Sequence, residues 1–130
     1  MNKKSISIII PAYNEGRGIE KILNVYYDFF KKQDVNFELI AVPNNCSDDT
    51  AEIAKKFAKG KKEIRVHNIP YFVGKGGAVL EGFKISKSEL VGFVDADLAT
   101  APDAFFDLYK NLDDYDAILA SRWIKGANIL

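Results

Sequence analysis

Short apolar runs alternate with segments of helical periodicity along the 130 residues of this chain. In the segment 15–32, for example, apolar side chains recur at a spacing that predicts one buried face of a helix. The pattern predicts strands at 6–10, 37–42, 64–69, 90–94 and 117–120, and helices at 15–32, 48–59, 74–86 and 102–112. Strands and helices that alternate in this way form a mostly parallel sheet with helices on both faces. The pattern therefore predicts an α/β fold.

The composition is that of an ordinary globular protein, and it narrows the classes of partner. Basic and acidic residues balance at 18 each, so no general positive field exists to hold a nucleic acid. The single cysteine, Cys46, excludes an internal disulfide and a cysteine-rich metal site. The sequence contains neither a signal-peptide pattern nor a run of ~20 apolar residues. We therefore expect one cytoplasmic domain over residues 1–130.

Two carboxylates, Asp95 and Asp97, follow the apolar run 90–94, which is predicted to be a buried strand. The carboxyl-terminal edge of an open α/β sheet is where ligands bind, and side chains at i and i+2 of a strand point to one face. Carboxylates placed in this way can share a divalent cation. The alternative is that both acids form caps within the loop. Thr100 and Asp103 are predicted to cap the helix that follows.

Four further polar segments follow predicted strands or open the third helix, at 11–15, 43–50, 74–78 and 121–123. Each has a plain structural interpretation as a turn, a helix cap or a solvated surface segment, with Ser47 or Asp48 as the cap of the second helix. The side chains that would instead suit a ligand are Tyr13, Glu15, Lys75 and Arg122. Because these segments fall at the carboxyl ends of strands, they are predicted to surround one site.

Together these segments resemble the family 2 glycosyltransferases of the GT-A fold, and most of all the dolichyl-phosphate glucosyltransferase branch of the polyprenyl-phosphate sugar transferases. Residues 8–15 match the opening motif of that family almost residue for residue. Residues 44–50 lie where the family has an acidic D-D-G-S-x-D-G-T segment. The G-K-G-G-A-V of residues 74–79, the D-A-D-L-A-T of residues 95–100 and the S-R-W of residues 121–123 resemble elements of the same branch.

The resemblance implies a metal-dependent, inverting hexosyltransferase that takes its sugar from a nucleotide diphosphate, with Mg²⁺ or Mn²⁺ as cofactor. The residues that it places around the donor nucleotide are Pro11, Tyr13, Glu15, Asn44, Lys75 and Asp95. It places the metal on Asp95 and Asp97, with Asp97 as the principal ligand. It gives the catalytic roles to Asp97 and Arg122, with Arg122 facing phosphate. It also implies a polyprenyl-phosphate acceptor, which would bring the protein to the cytoplasmic face of a membrane.

The chain departs from that family's pattern at Pro43 and Asn44, which replace two acids. An aspartate accepts both donors of a guanine edge, whereas an amide accepts one hydrogen bond and donates another, as uracil requires, or cytosine with the amide flipped. Asn44 therefore favours a UDP-sugar, with GDP- and CDP-linked sugars as the other donors, unless it marks weakened binding. The alternative function is a non-catalytic nucleotide-sugar-binding module. A nucleotidyltransferase is disfavoured, because residues 11–15 are not a glycine-rich basic loop.

The chain ends soon after the fifth predicted strand, at residues 127–130, whereas the catalytic domains of that family extend further. We therefore expect residues 1–130 to be the donor-binding part of a domain that is truncated at its carboxyl end. Apolar residues near that end either favour a homodimer or are covered by further chain.

Overall fold

The structure is a computed structural model that describes residues 3–112, and within them four strands alternate with four helices. In chain order the elements are β1 (Ile6–Ala12), α1 (Ile19–Lys31), β2 (Phe37–Pro43), α2 (Thr50–Ala58), β3 (Ile64–Val66), α3 (Gly74–Ile85), β4 (Leu90–Phe93) and α4 (Pro102–Lys110). The strands form one parallel sheet in the order β3-β2-β1-β4. The α/β prediction is confirmed for these elements. The fifth predicted strand, 117–120, and Arg122 lie outside the described residues.

Helices cover both faces of the sheet, and this explains why β1 is an uninterrupted apolar run. Ile8 and Ile10 pack into the larger core, against α1, α2 and α4, while Ile9 packs on the opposite face against α3. All three side chains are fully buried. α3 approaches β1 closely at Gly82, where a Cβ would stand 2.5 Å from Ile9 Cγ2. This contact helps to fix where the amino terminus of α3 meets the edge of the sheet.

Pro11 is predicted to end the first strand, but β1 continues through Ala12. The Ile9 carbonyl accepts a hydrogen bond from Val94 N at 3.0 Å, so Ile9 bonds towards β4. Alternate residues of a strand bond to the same neighbour, and Pro11 therefore faces β4 as well. The pairing with β4 ends at Ile9, so the missing N–H of Pro11 points beyond the paired region and no ladder hydrogen bond is lost. β1 and β2 therefore stay in register to their ends.

The first helix begins later than predicted, at Ile19 instead of residue 15. The chain turns first, because Asn14 has a positive φ of 49°. Ser47 or Asp48 is predicted to cap α2, and Asp48 reaches that end of the helix: its Oδ1 accepts a hydrogen bond from Thr50 N, the first residue of α2, at 3.0 Å. The caps predicted for α4, Thr100 and Asp103, are wrong, because Ala101 precedes that helix and makes no side-chain cap hydrogen bond.

β4 is only half buried, although its sequence predicts a buried strand. Val91 and Phe93 are 40% and 43% exposed. Register pairs Phe93 with Ile9, so both point to the face that α3 covers over β1. α3 therefore shields the centre of the sheet but leaves this part of β4 open within residues 3–112.

β3 ends at Val66 instead of the predicted residue 69, and Ile69 rejoins the sheet as a single bridge to Asn44. The remaining boundaries agree with prediction to within two residues. No helix in the described part of the chain is long and apolar enough to cross a membrane.

Candidate functional site

A cavity of ≈ 550 Å³ opens at the carboxyl-terminal edge of the sheet, a size and place typical of ligand sites in α/β folds. Its walls come from the segments that follow β1, β2 and β4 and from the start of α3. The predicted site residues that line it are Pro11, Tyr13, Glu15, Asn44, Lys75, Asp95 and Asp97. The segments 11–15, 43–50 and 74–78 and the pair Asp95 and Asp97 thus contribute to one cavity. Arg122, from the same predicted set, lies outside the described residues.

Asn14 ties the loop after β1 to the loop after β2. Its Oδ1 accepts hydrogen bonds from Ser47 N at 2.8 Å and from Asp48 N at 3.3 Å. Asp48 Oδ2 in turn accepts a hydrogen bond from Gly16 N at 3.0 Å. Asn14 belongs to the opening sequence motif, but nothing in the sequence shows that it fixes the neighbouring loop.

The Asp48 carboxylate is held in its charged form by the same loops. The Thr50 hydroxyl donates to it, and with the backbone N–H groups of Thr50 and Gly16 this lowers the pKa of Asp48 against the opposing effect of burial. Thr50 is fully buried, and its Oγ1 also accepts a hydrogen bond from Glu15 N at 2.9 Å. Asp48 therefore helps to fix the loops of the site, and through Thr50 it helps to position Glu15, which lines the cavity.

Two exposed aromatic rings stand at the cavity, Tyr13 at 64% exposure and Phe72 at 76%. Such rings offer a flat apolar surface on which a base can stack. Tyr13 is a predicted site residue, whereas Phe72 belongs to no predicted motif. The signal that could have found it is the aromatic pair Tyr71 and Phe72 immediately before the glycine-rich turn.

Asn44 lies in the cavity wall, but its amide is already engaged. The residue is 5% exposed, and its Nδ2 donates to the Ile69 carbonyl at 3.3 Å and to the Tyr71 carbonyl at 2.6 Å. Its Oδ1 accepts from Val73 N at 3.3 Å and from Gly74 N at 3.1 Å. Both donors and both acceptor positions of the amide are therefore used on the backbone. The geometry does not support the sequence argument that this amide faces a nucleobase.

The glycine-rich turn brings Lys75 to the cavity. Gly74 begins α3 with a φ of 75°, a conformation that any side chain would strain. The Lys75 ammonium forms an ion pair with the Asp95 carboxylate, and the two side chains are 58% and 44% exposed. A pair this exposed contributes little to stability. Both charges are therefore accessible to a ligand in the cavity.

Asp95 and Asp97 both line the cavity, although β4 ends at Phe93 and the two acids do not share a strand face as predicted. Asp97 Oδ1 accepts a hydrogen bond from Ala99 N at 2.9 Å, in a turn where Leu98 has a φ of 60°. Carboxylate oxygens are the ligands that Mg²⁺ and Mn²⁺ prefer, so this pair fits the expected cofactor. In the described part of the chain no group of three or more His, Cys, Asp or Glu could hold a metal ion, so ligand or water oxygens would complete the coordination.

Comparison with known proteins agrees with the chemistry of this site. The sequence model of the family described as Glycosyl transferase family 2 matches residues 7–129. A dolichyl-phosphate beta-glucosyltransferase of Trichomonas vaginalis is 34% identical over 126 residues, which are 93% of this chain and 37% of that protein. The chain spans between 20% and 39% of the length of such curated relatives.

Solved structures place the fold among the GT-A glycosyltransferases. A mannosyltransferase from Pyrobaculum calidifontis in complex with GDP-Man and Mn²⁺ aligns with a TM-score of 0.74 and 25% identity, over 88% of this chain and 34% of that one. A glucosyl-3-phosphoglycerate synthase from Mycobacterium tuberculosis in complex with UDP aligns with a TM-score of 0.67 and 26% identity, over 84% and 40% of the two chains. The family match and these neighbours together show that the chain belongs to glycosyl transferase family 2.

Proposed function

We propose that the cavity binds a nucleoside-diphosphate sugar together with Mg²⁺ or Mn²⁺, and that the chain is the donor-binding part of an inverting glycosyltransferase. The observation that carries this proposal is the convergence on one cavity of a ring, Tyr13, a cation, Lys75, and two carboxylates, Asp95 and Asp97. These groups complement a base, a diphosphate and the metal that accompanies it. The glucosyltransferase relative and the neighbours that bind GDP-Man, Mn²⁺ and UDP support the same assignment.

The base and ribose belong beside Tyr13 and Phe72, whose exposed rings provide stacking surfaces. Pro11 and Glu15 line the same side of the cavity, and the Glu15 carboxylate can accept hydrogen bonds from ribose hydroxyls. A UDP-sugar is the first donor to test, because UDP is the ligand of one structural neighbour. GDP- and CDP-sugars are the necessary comparisons, because another neighbour binds GDP-Man.

The diphosphate belongs beside Lys75 and the first turn of α3, whose backbone N–H groups and dipole favour an anion. Before a donor binds, Lys75 neutralises part of the charge of Asp95. Asp95 and Asp97 would hold the metal, which supplies positive charge that stabilises the departing nucleoside diphosphate. Arg122, outside the described residues, is proposed to face phosphate.

In the transfer, an acceptor oxygen forms a bond to the anomeric carbon as the bond from that carbon to the diphosphate breaks. The electron pair of the broken bond leaves with the nucleoside diphosphate. The acceptor in this proposal is a polyprenyl phosphate, as the name of the dolichyl-phosphate relative suggests. A phosphate monoester is already anionic at neutral pH, so its oxygen can attack without a general base. Such an acceptor would bring the chain to a membrane surface.

A transfer assay with a labelled UDP-hexose and Mn²⁺ tests the proposal. We expect label to move to a polyprenyl phosphate and not to the matching neutral alcohol. Transfer should be lost in Asp97→Ala and kept in Asp28→Ala, which removes an exposed carboxylate on α1, away from the cavity. Donor binding without transfer to either acceptor would leave a donor-binding part or a nucleotide-sugar-binding module, and absence of donor binding would contradict the proposal.

A further inference from the structure

The segment 69–74 crosses the edge of the cavity with little sheet pairing of its own. β3 has already ended at Val66, and the segment touches the sheet as a single bridge at Ile69. At that bridge Ile69 N donates to the Pro43 carbonyl at 2.9 Å, and Asn45 N donates to the Ile69 carbonyl at 2.8 Å. Beyond Ile69, the segment is joined to the residue that follows β2 by hydrogen bonds of one buried side chain, the amide of Asn44.

The 69–74 segment determines where several groups of the site stand. It carries the exposed ring of Phe72, and it ends at Gly74, whose positive φ starts α3. Lys75 follows at once, so its position depends on how the segment is held. The Asn44 amide accepts from the last two N–H groups of the segment and donates to the carbonyls of Ile69 and Tyr71.

We propose that Asn44 is a positioning residue that holds the 69–74 segment over the cavity and does not itself distinguish one nucleobase from another. The second half of this inference rests on the proposed function. An amide suits the position, because two carbonyls need donors and two N–H groups need an acceptor. An aspartate has the same shape but no donor. It would set a negative oxygen against the carbonyls of Ile69 and Tyr71.

The positioning role of Asn44 can be tested without any ligand, by amide hydrogen exchange in the free chain. In the wild-type chain the Val73 and Gly74 amides should be protected, because both donate to Asn44 Oδ1. Exchange at the rate of an unprotected amide would overturn the inference, and this measurement needs no variant to fold.

Substitution sharpens the exchange test. In Asn44→Ala we expect these two amides to exchange at least about tenfold faster, the effect of roughly one lost hydrogen bond. The amides of β1 should keep their protection. Asn68→Ala is the matched control, since it removes the same amide group at an exposed position in the preceding loop. Unchanged exchange at Val73 and Gly74 in Asn44→Ala would show that the segment is held by other contacts.

Nucleotide titration tests the claim about the base. If Asn44 positions the segment, Asn44→Asp weakens UDP, CDP and GDP by the same factor, at least about tenfold, and leaves their order unchanged. If Asn44 reads the base, the same substitution raises the affinity for GDP relative to UDP, because a carboxylate accepts both donors of a guanine edge. That change in ratio would overturn the inference.

The two experiments separate the two proposals. If no nucleotide binds to the wild-type chain, the proposed function fails, while amide exchange still decides whether Asn44 holds the 69–74 segment. If nucleotides bind and the Val73 and Gly74 amides are unprotected, the positioning role fails and the proposed function stands.

Discussion

The two walls of the cavity are held in different ways. The hydrogen-bonded wall consists of residues 12–16, 44–50 and 69–74, and the carboxylate wall consists of residues 94–100. In the first wall, side chains reach from one loop to another: Asn14 binds the loop after β2, and Asn44 binds the 69–74 segment. In the second wall, Asp97 accepts a hydrogen bond from its own turn, and Asp95 pairs with an exposed lysine.

This difference separates two polar side chains that build the site, Asn14 and Asn44, from two that would act on a ligand, Asp95 and Asp97. The side-chain oxygen of Asn14 and the whole amide of Asn44 are engaged by backbone groups in the free chain, so the shape of that wall is set before a ligand arrives. The carboxylates of Asp95 and Asp97 remain open to the cavity. Substitution of Asn14 or Asn44 should therefore cost stability. Substitution of Asp95 or Asp97 should cost binding and catalysis with little loss of stability.

The largest effect is expected for Asp97→Ala. Loss of this carboxylate should lower the rate of sugar transfer by at least about a hundredfold, because charge on the departing diphosphate is no longer stabilised. The free energy of unfolding should change by less than about 0.5 kcal/mol, since the side chain is exposed. Initial rates and urea unfolding measure the two quantities, with Asp28→Ala as the control. A variant that still transfers sugar would place the essential acid elsewhere.

Asn14→Ala tests the hydrogen-bonded wall. It removes the acceptor for Ser47 N and Asp48 N and puts alanine at a φ of 49°, so the free energy of unfolding should fall by roughly 1–3 kcal/mol. Urea unfolding measures this loss, and Asn24→Ala, at an exposed position on α1, is the matched control. Equal stability of the two variants would mean that the wall is not pre-organised by Asn14.

Glu38 lies outside both walls, near the amino-terminal end of β2, and its substitution should affect stability without affecting the site. Burial alone would raise the pKa of its carboxyl, but hydrogen bonds from Ser7, the Lys87 backbone and Arg65 outweigh burial and lower the pKa below its ordinary value of 4.5. A lowered folded-state pKa stabilises the fold above the unfolded pKa, and this stability is lost as pH falls through the folded value.

Glu38→Gln should therefore reduce the free energy of unfolding at pH 7 by roughly 1–2 kcal/mol, through weakened hydrogen bonds, and reduce the loss of stability below pH 4.5. Urea unfolding across this pH range measures both effects. Nucleotide affinity should stay unchanged, because Glu38 lies outside the cavity. A variant with the same acid sensitivity as the wild type would refute the role given to this carboxyl.

The smallest effect is expected for Lys75→Met. It should weaken UDP by roughly three- to tenfold and leave uridine unaffected, because the lysine is assigned to the diphosphate and not to the base. Stability should change by less than about 0.5 kcal/mol, since the Lys75–Asp95 pair is exposed. Calorimetry with UDP and with uridine measures the two changes in affinity. Lys84→Met, on the same helix but outside the cavity, is the control. Equal weakening of uridine would contradict this assignment.

The order of strands and helices within residues 3–112 could be predicted from the apolar pattern, because burial on both faces leaves a clear signal in segments such as β1. The meeting of Tyr13, Lys75 and Asp97 could be predicted as well, since parallel strands end at one edge. The roles of Asn14 and Asn44 could not. A side chain that bonds the backbone of a distant loop has no periodic signature, and a polar residue after a strand looks the same whether it faces a ligand or the chain.

The exposure of β4 could not be predicted either. Apolar side chains at Val91 and Phe93 indicate a strand, but their burial depends on which element packs over them. The same reasoning applies to Phe72, whose position depends on the hydrogen bonds of Asn44 to the 69–74 segment and on the glycine turn that follows. Local pattern thus predicts elements, while contacts between distant loops determine the details of the site.

The most direct test of the central claim is a calorimetric titration of UDP, GDP and CDP, each with and without Mn²⁺, on this chain and on Asp97→Ala. We predict that at least one nucleotide binds more tightly with Mn²⁺, and that Asp97→Ala removes this gain while it keeps the metal-independent affinity. Absence of binding by all three nucleotides, or an identical response of Asp97→Ala to Mn²⁺, would contradict the account of the cavity as a metal-assisted nucleotide-sugar site.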